Sequence, residues 1–179
     1  MPAARVTLLI FLLVTFSGCN DVARERQSKA LVSEAYQLMK RDTDVTQQWT
    51  DEFVKAFTPE NRAQFPANRD FLRTHAAQIV KLLDESSGLN NSAAEKYEQA
   101  AGLSGNDQQH RGMSSFASGF RKSVEANELL KFQMQMVSDE TVLDQKTFNE
   151  KFLHSWQLIK EKRQESDGFF DEGRRLLRW

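Results

Sequence analysis

Apolar residues recur at steps of three and four through almost the whole chain after residue 30, and this spacing dictates helices. The first stripe runs Leu31, Ala35, Leu38, Val45, Trp49, Phe53 and Ala56, with Asp42 standing where an apolar residue is due. A second runs Leu72, Ala76, Ile79, Leu83, Ser86, Asn90, Ala94 or Ala93, Tyr97 and Ala101. The third is Met113, Ala117, Phe120, Val124, Asn127, Leu130, Met134 and Val137, and the fourth is Phe148, Phe152, Trp156, Ile159, Arg163, Ser166, Phe170, Gly173 and Leu177. Period-two alternation is absent and β-branched residues are sparse, so strands have no home.

The breaks between stripes set the boundaries. A first helix is expected over about 21–57, with Asn20 or Asp21 as its cap. Thr58-Pro59-Glu60 reads as a cap followed by Pro at the first helical position, and Pro66 pushes Phe65 out of the α region, so 58–66 is a structured corner. Leu103-Ser104-Gly105-Asn106-Asp107 is a stop and a new start, and a polar loop opens at Ser138. A capping-box pattern from Thr147 to Glu150 begins the fourth segment. The helices have matched lengths, each roughly 50 Å at 1.5 Å per residue. With short connections, they predict an all-α, antiparallel up-down four-helix bundle, a coiled-coil-like packing of long helices. Shorter helices broken near Asp42 and Gly88 are the competing arrangement.

Composition narrows the function. The 24 Lys+Arg balance 25 Asp+Glu over 179 residues, so there is no bulk field for a nucleic-acid backbone. One cysteine, Cys19, excludes an intrachain disulfide framework and any site made of several thiolates. The first residues carry one basic side chain, Arg5, then a largely apolar run from Val6 to Phe16, then small Ser17-Gly18 before Cys19. This is the layout of a secretory signal over 1–18, and the run is about half of the 20 residues a spanning helix needs.

At Phe16-Ser17-Gly18-Cys19 the stretch resembles the lipobox of bacterial lipoproteins, although the family usually has Leu or another aliphatic residue where this chain has Phe16. The resemblance covers only the first nineteen or so residues. It implies cleavage before Cys19 and lipidation there, with palmitate-type acyl chains, leaving a mature helical domain over 19–179. In bacteria with enterobacterial sorting, Asn20 and Asp21 after the Cys depart from the usual inner-membrane retention pattern, which favours the outer membrane and a domain facing the periplasm.

In an up-down bundle both chain ends lie at one end, so Arg174, Arg175, Arg178 and Trp179 are candidate membrane-interface contacts. Cations at a helix carboxyl end also serve its dipole, and Leu176, Leu177 and Trp179 read equally as a core cap. The distal end carries the 58–66 corner and the 138–144 loop, the segments to test for a partner docking away from the membrane.

The polar residues inside the stripes, Asp42, Ser86, Asn90, Asn127, Arg163 and Ser166, fall at one mid-height level by helical rise. Two readings follow. The layer is a polar cavity with Asp42 and Arg163 as its charged pair, able to hold a small polar ligand or ion, or it is a satisfied layer that fixes register. The second needs less.

Catalytic and cofactor chemistry finds no support. His75 reads as a hydrogen-bonded core histidine, His110 sits at a helix start, and His154 points to solvent. Asp42, Asp44 and Thr46 begin like a calcium loop, yet Gln47 replaces the needed Gly and Phe53 the bidentate Glu. No metal or cofactor is assigned, and no enzyme. Of Phe132, Met134 and Met136, which alternate around one helix, at least one must be exposed. The expectation is a lipid-anchored envelope protein that binds or scaffolds a protein partner, with a sensor or carrier of a small polar ligand as the alternative.

Overall fold

The computed structural model describes residues 3–178 apart from 140 and 143, with side chains from residue 21 onward. Five helices follow in order: α1 Ala3–Ala56, α2 Pro59–Ala63, α3 Arg69–Leu103, α4 Asp107–Gln135 and α5 Gln145–Leu177. The four long helices form the expected all-α, up-down antiparallel bundle. Ser28 of α1 meets Ala100 of α3 while Glu52 meets His75, so these two run in opposite directions. The same inversion joins α3 to α4, where Asn91 meets Arg121 and Asp84 meets Lys131. Gln108 with Leu176 and Gln133 with Phe152 repeat it between α4 and α5. Among the described residues no helix is long and apolar enough to cross a membrane.

Three of the four seams are close-packed: α1 on α3, α3 on α4, and α4 on α5. In the last, glycines stand where side chains would collide. A Cβ on Gly119 would lie 2.7 Å from the Phe170 ring, and one on Gly173 2.6 Å from Phe116. The fourth seam differs. The backbones of α1 and α5 stay farther apart, and aromatic rings bridge the gap: Phe53 stacks on Phe152 and Trp156, and Phe57 on Phe152.

Two apolar clusters make the core. The distal one includes Trp49, Phe57, Phe65, Leu72, Leu130, Phe148 and Phe152, and the other gathers Ala35, Tyr97, Met113, Phe116 and Phe120 nearer the chain ends. Burying a large side chain of this kind contributes about 1.5–3 kcal/mol.

Several expected boundaries move. Helix α1 begins at Ala3, so neither Asn20 nor Asp21 caps it; an interior glycine such as Gly18 costs a helix only about 1 kcal/mol and does not stop it. The helices are unbroken at Asp42 and at Gly88, because the stripes keep their register through both. The corner holds a one-turn helix, α2, capped by Thr58, whose hydroxyl oxygen accepts from Asn61 N–H at 3.1 Å. Its Phe65–Pro66 peptide bond is cis. Helix α4 ends at Gln135, although Val137 in the following turn is fully buried. The cap of α5 is Asp144, not Thr147. Its carboxylate takes Thr147 N–H at 2.9 Å, and an anion at a helix amino end outranks a hydroxyl three residues later.

Candidate functional site

At mid-height the polar residues of three helices converge. Ser86 of α3 donates its hydroxyl hydrogen to Asp42 Oδ1 of α1 at 2.5 Å. The Ser86 hydroxyl oxygen in turn accepts from Asn127 Nδ2 of α4 at 3.0 Å and from Asn90 Nδ2 at 3.3 Å. Asn90 also donates to the Ser86 carbonyl at 2.9 Å, and Asn127 approaches Ser87 Oγ at 3.4 Å. Ser86, Asn90 and Asn127 are buried, and Asp42 is half-buried at the seam. Burial pushes the Asp42 carboxyl above the usual aspartate range, while the Ser86 and Asn90 hydrogen bonds and the Arg163 charge pull the other way. These four residues satisfy one another, which is the arrangement of a register layer.

Arg163 and Ser166 are not part of that network. Ser166 exchanges a hydrogen bond with Ser123 at 2.9 Å and donates to the Gly119 carbonyl at 2.9 Å, serving the α4–α5 seam alone. Arg163 interacts with Asp42 through its charge rather than by a direct ion pair, and its guanidinium lies over the Trp49 ring, 5.0 Å from the centroid. The two side chains sense each other's charge, since burial lowers the Arg163 pKa while Asp42 and Asp167 raise it. Arg163 Nη2 and Trp49 Nε1 are both buried without a protein acceptor. Trp49 entered the sequence reading only as a core residue; a Trp in a stripe gives no sign that its N–H lacks a partner.

A cleft of about 800 Å³ opens at the end of the bundle where both chain ends lie. Val32, Leu103, Met113 and Leu177 supply its apolar surface, with Arg24 and Arg178 among its charged residues. It does not coincide with the polar layer, and sequence periodicity gave no hint of it, because the α3–α4 loop and the helix ends build it together. Arg178 caps α5 in the left-handed region, φ 55°, and its N–H reaches the Arg174 carbonyl. Of the other candidate interface residues, Arg174 pairs with Asp171 at 2.5 Å and Arg175 with Glu172 at 3.9 Å. Cys19 and Trp179 lie outside the described side chains.

At the distal end the corner and the loop are tied together. Arg69 Nη2 donates to the Val142 carbonyl while its guanidinium covers the Phe65 ring at 4.8 Å, and Phe65 stacks on Phe148 at 4.4 Å. The histidines serve structure. His75 is half-buried rather than in the core and bonds Glu52 at 2.6 Å, His110 Nδ1 meets the Ala101 carbonyl at 2.9 Å, and His154 is exposed. Phe132 is the exposed member of its trio at 61%, with Met134 and Met136 buried. Set against protein-family models, curated proteins and solved structures, the chain matches none of them.

Proposed function

We propose that this protein is a bacterial envelope lipoprotein, held at the membrane by lipid on Cys19 and facing the periplasm, that works by binding or scaffolding a protein partner. The observation that carries the reading is that the only cysteine of the chain closes a short basic-then-apolar amino-terminal stretch. Two acyl chains hold a protein firmly where one is marginal, since each buried CH₂ contributes about 0.8 kcal/mol. The outer membrane is favoured over the inner by Asn20 and Asp21. The mutual hydrogen bonds of Asp42, Ser86, Asn90 and Asn127 support a register role for the layer over a ligand carrier.

Cell fractionation with labelled palmitate tests the anchor. Wild type is expected in the membrane fraction carrying label, and Cys19→Ala in the soluble fraction without it. A Cys19→Ala protein that remains on the membrane overturns the reading.

A further inference from the structure

The cleft at the end of the bundle where the chain ends lie has about 800 Å³, within the range of ligand pockets. All four long helices contribute to its apolar wall: Val32 from α1, Leu103 from α3, Met113 from α4 and Leu177 from α5. Met113 is buried and the other three are half-buried, so part of this wall is left for an occupant to cover.

Its polar lining divides into groups already satisfied and groups that are not. Lys29 pairs with Glu25 at 2.7 Å. Ser28 donates to the Ala100 carbonyl at 3.1 Å, Gln108 to the Leu176 carbonyl at 2.6 Å, and Ser104 to Gln109 Oε1 at 3.3 Å. Three charged groups are left over. Arg24 reaches the Gly102 carbonyl only at 3.5 Å, beyond the ordinary range of an N–H···O bond. Among the described residues neither the Arg178 guanidinium nor the Asp21 carboxylate has an ion-pair partner. Asp21 and Arg24 share one face of α1 by their i,i+3 spacing, and Arg178 enters from the end of α5.

Two unspent guanidiniums and one unspent carboxylate beside an apolar wall describe an amphiphile with both signs of charge. Guanidiniums take phosphate oxygens, a carboxylate takes an ammonium, and the wall takes hydrocarbon. We infer that the cleft binds one glycerophospholipid whose headgroup carries a phosphate and a primary ammonium. The phosphate meets Arg24 and Arg178, the ammonium meets Asp21, and the start of an acyl chain covers Val32, Leu103, Met113 and Leu177. A headgroup with negative charge alone leaves Asp21 facing its own sign, and acyl chains on Cys19 carry no charge for any of the three. Position favours the same ligand: Asp21 follows Cys19 by two residues, about 3 Å of helical rise, so an anchor there holds the cleft at headgroup level. The inference draws on the anchored reading above for the supply of lipid, not for the binding site.

Native mass spectrometry of the full chain in detergent micelles, with lipid added at increasing mole fraction, tests it. The expected result is one phosphatidylethanolamine bound per chain, with phosphatidylglycerol about tenfold weaker. Glycerophosphoethanolamine, the same headgroup without acyl chains, shows no binding at matched concentration. Arg24→Gln and Arg178→Gln each weaken phosphatidylethanolamine about tenfold, and Asp21→Asn removes its advantage over phosphatidylglycerol. All three side chains are exposed, so thermal melts without lipid are expected to match wild type; a variant that melts lower is set aside and the other two are scored.

No phospholipid adduct, equal binding of the two lipids by wild type, or an adduct indifferent to both arginine changes overturns the inference. So does a headgroup that binds as well without its chains, which would make the ligand a soluble phosphoester. Fractionation separates this failure from that of the anchor. A chain held on the membrane through Cys19 that takes no phosphatidylethanolamine refutes the cleft alone, whereas a Cys19→Ala chain that stays on the membrane and still takes it refutes the anchor alone.

Discussion

Ser86 donates to Asp42 at 2.5 Å while accepting from Asn127, so a single hydroxyl ties α1, α3 and α4 at one height. Ser86→Ala removes the hub and leaves the Asn127 amide and the Asp42 carboxylate each short of a partner. The expected loss is about 1–3 kcal/mol, read as a lower urea midpoint at unchanged slope. A midpoint equal to wild type would show that water replaces the hydroxyl without cost.

Asp42 titrates in the opposite sense to most carboxylates. Burial is the largest influence and raises its pKa in the folded state, so the stability it contributes is present below the unfolded value of about 3.9 and is lost as pH rises through the raised folded value. Asp42→Asn keeps an oxygen for Ser86 and removes the ionisation. The variant is therefore expected to melt above wild type at pH 7, with the two curves converging as pH falls toward 4. Convergence at high pH instead would reverse the sign of the effect.

The glycines of α4 and α3 predict opposite outcomes for the same substitution. Gly119→Ala drives a methyl into the Phe170 ring, 2.7 Å away, and overpacking of this kind costs about 1–3 kcal/mol; adding Phe170→Leu recovers part of it. Gly88→Ala meets nothing within 4 Å on an exposed helix face, and stabilises by about 0.5–1 kcal/mol through the lost backbone freedom of glycine. Thermal melts of the two single variants, moved in opposite directions, check both.

Asp144 caps α5 and is held below the usual aspartate range, first by the Thr147 backbone N–H and then by the Thr147 hydroxyl. A lowered folded pKa places its stabilisation above the unfolded value, to be lost as pH falls through the folded one. Asp144→Ala is thus expected to lower the melting temperature at pH 7 and to approach wild type in acid. A deficit that persists unchanged at pH 3 would assign the effect to something other than the charged cap.

The long stripes were legible because a helix repeats its buried face every 3.6 residues, and Leu72, Ile79, Leu83, Leu130, Phe148 and Ile159 all sit in the core as the spacing requires. The layer was legible for the same reason: Asp42, Ser86, Asn90 and Asn127 break the stripe where they meet. What the spacing did not carry is direction around the helix. Arg163 and Ser166 share the stripe with Phe170, yet one turns toward Trp49 and the other toward Gly119, and only the packing of neighbours decides that. Trp156, expected inside, instead lies half in solvent on Phe53, with Ser155 taking the buried place. The end cleft was invisible because it belongs to no single element.

Each close-packed seam joins two long helices that are consecutive among the four, with only the one-turn α2 between α1 and α3, leaving only α1 against α5 to close at long sequence separation. Assembly of this kind proceeds as a succession of helical hairpins, each stabilised by short-range contacts before the next is added, which favours rapid folding. The ring-bridged seam is then the last to form and the first to open, and amide exchange along its two helices should outpace exchange in α3, whose neighbours enclose it on both sides.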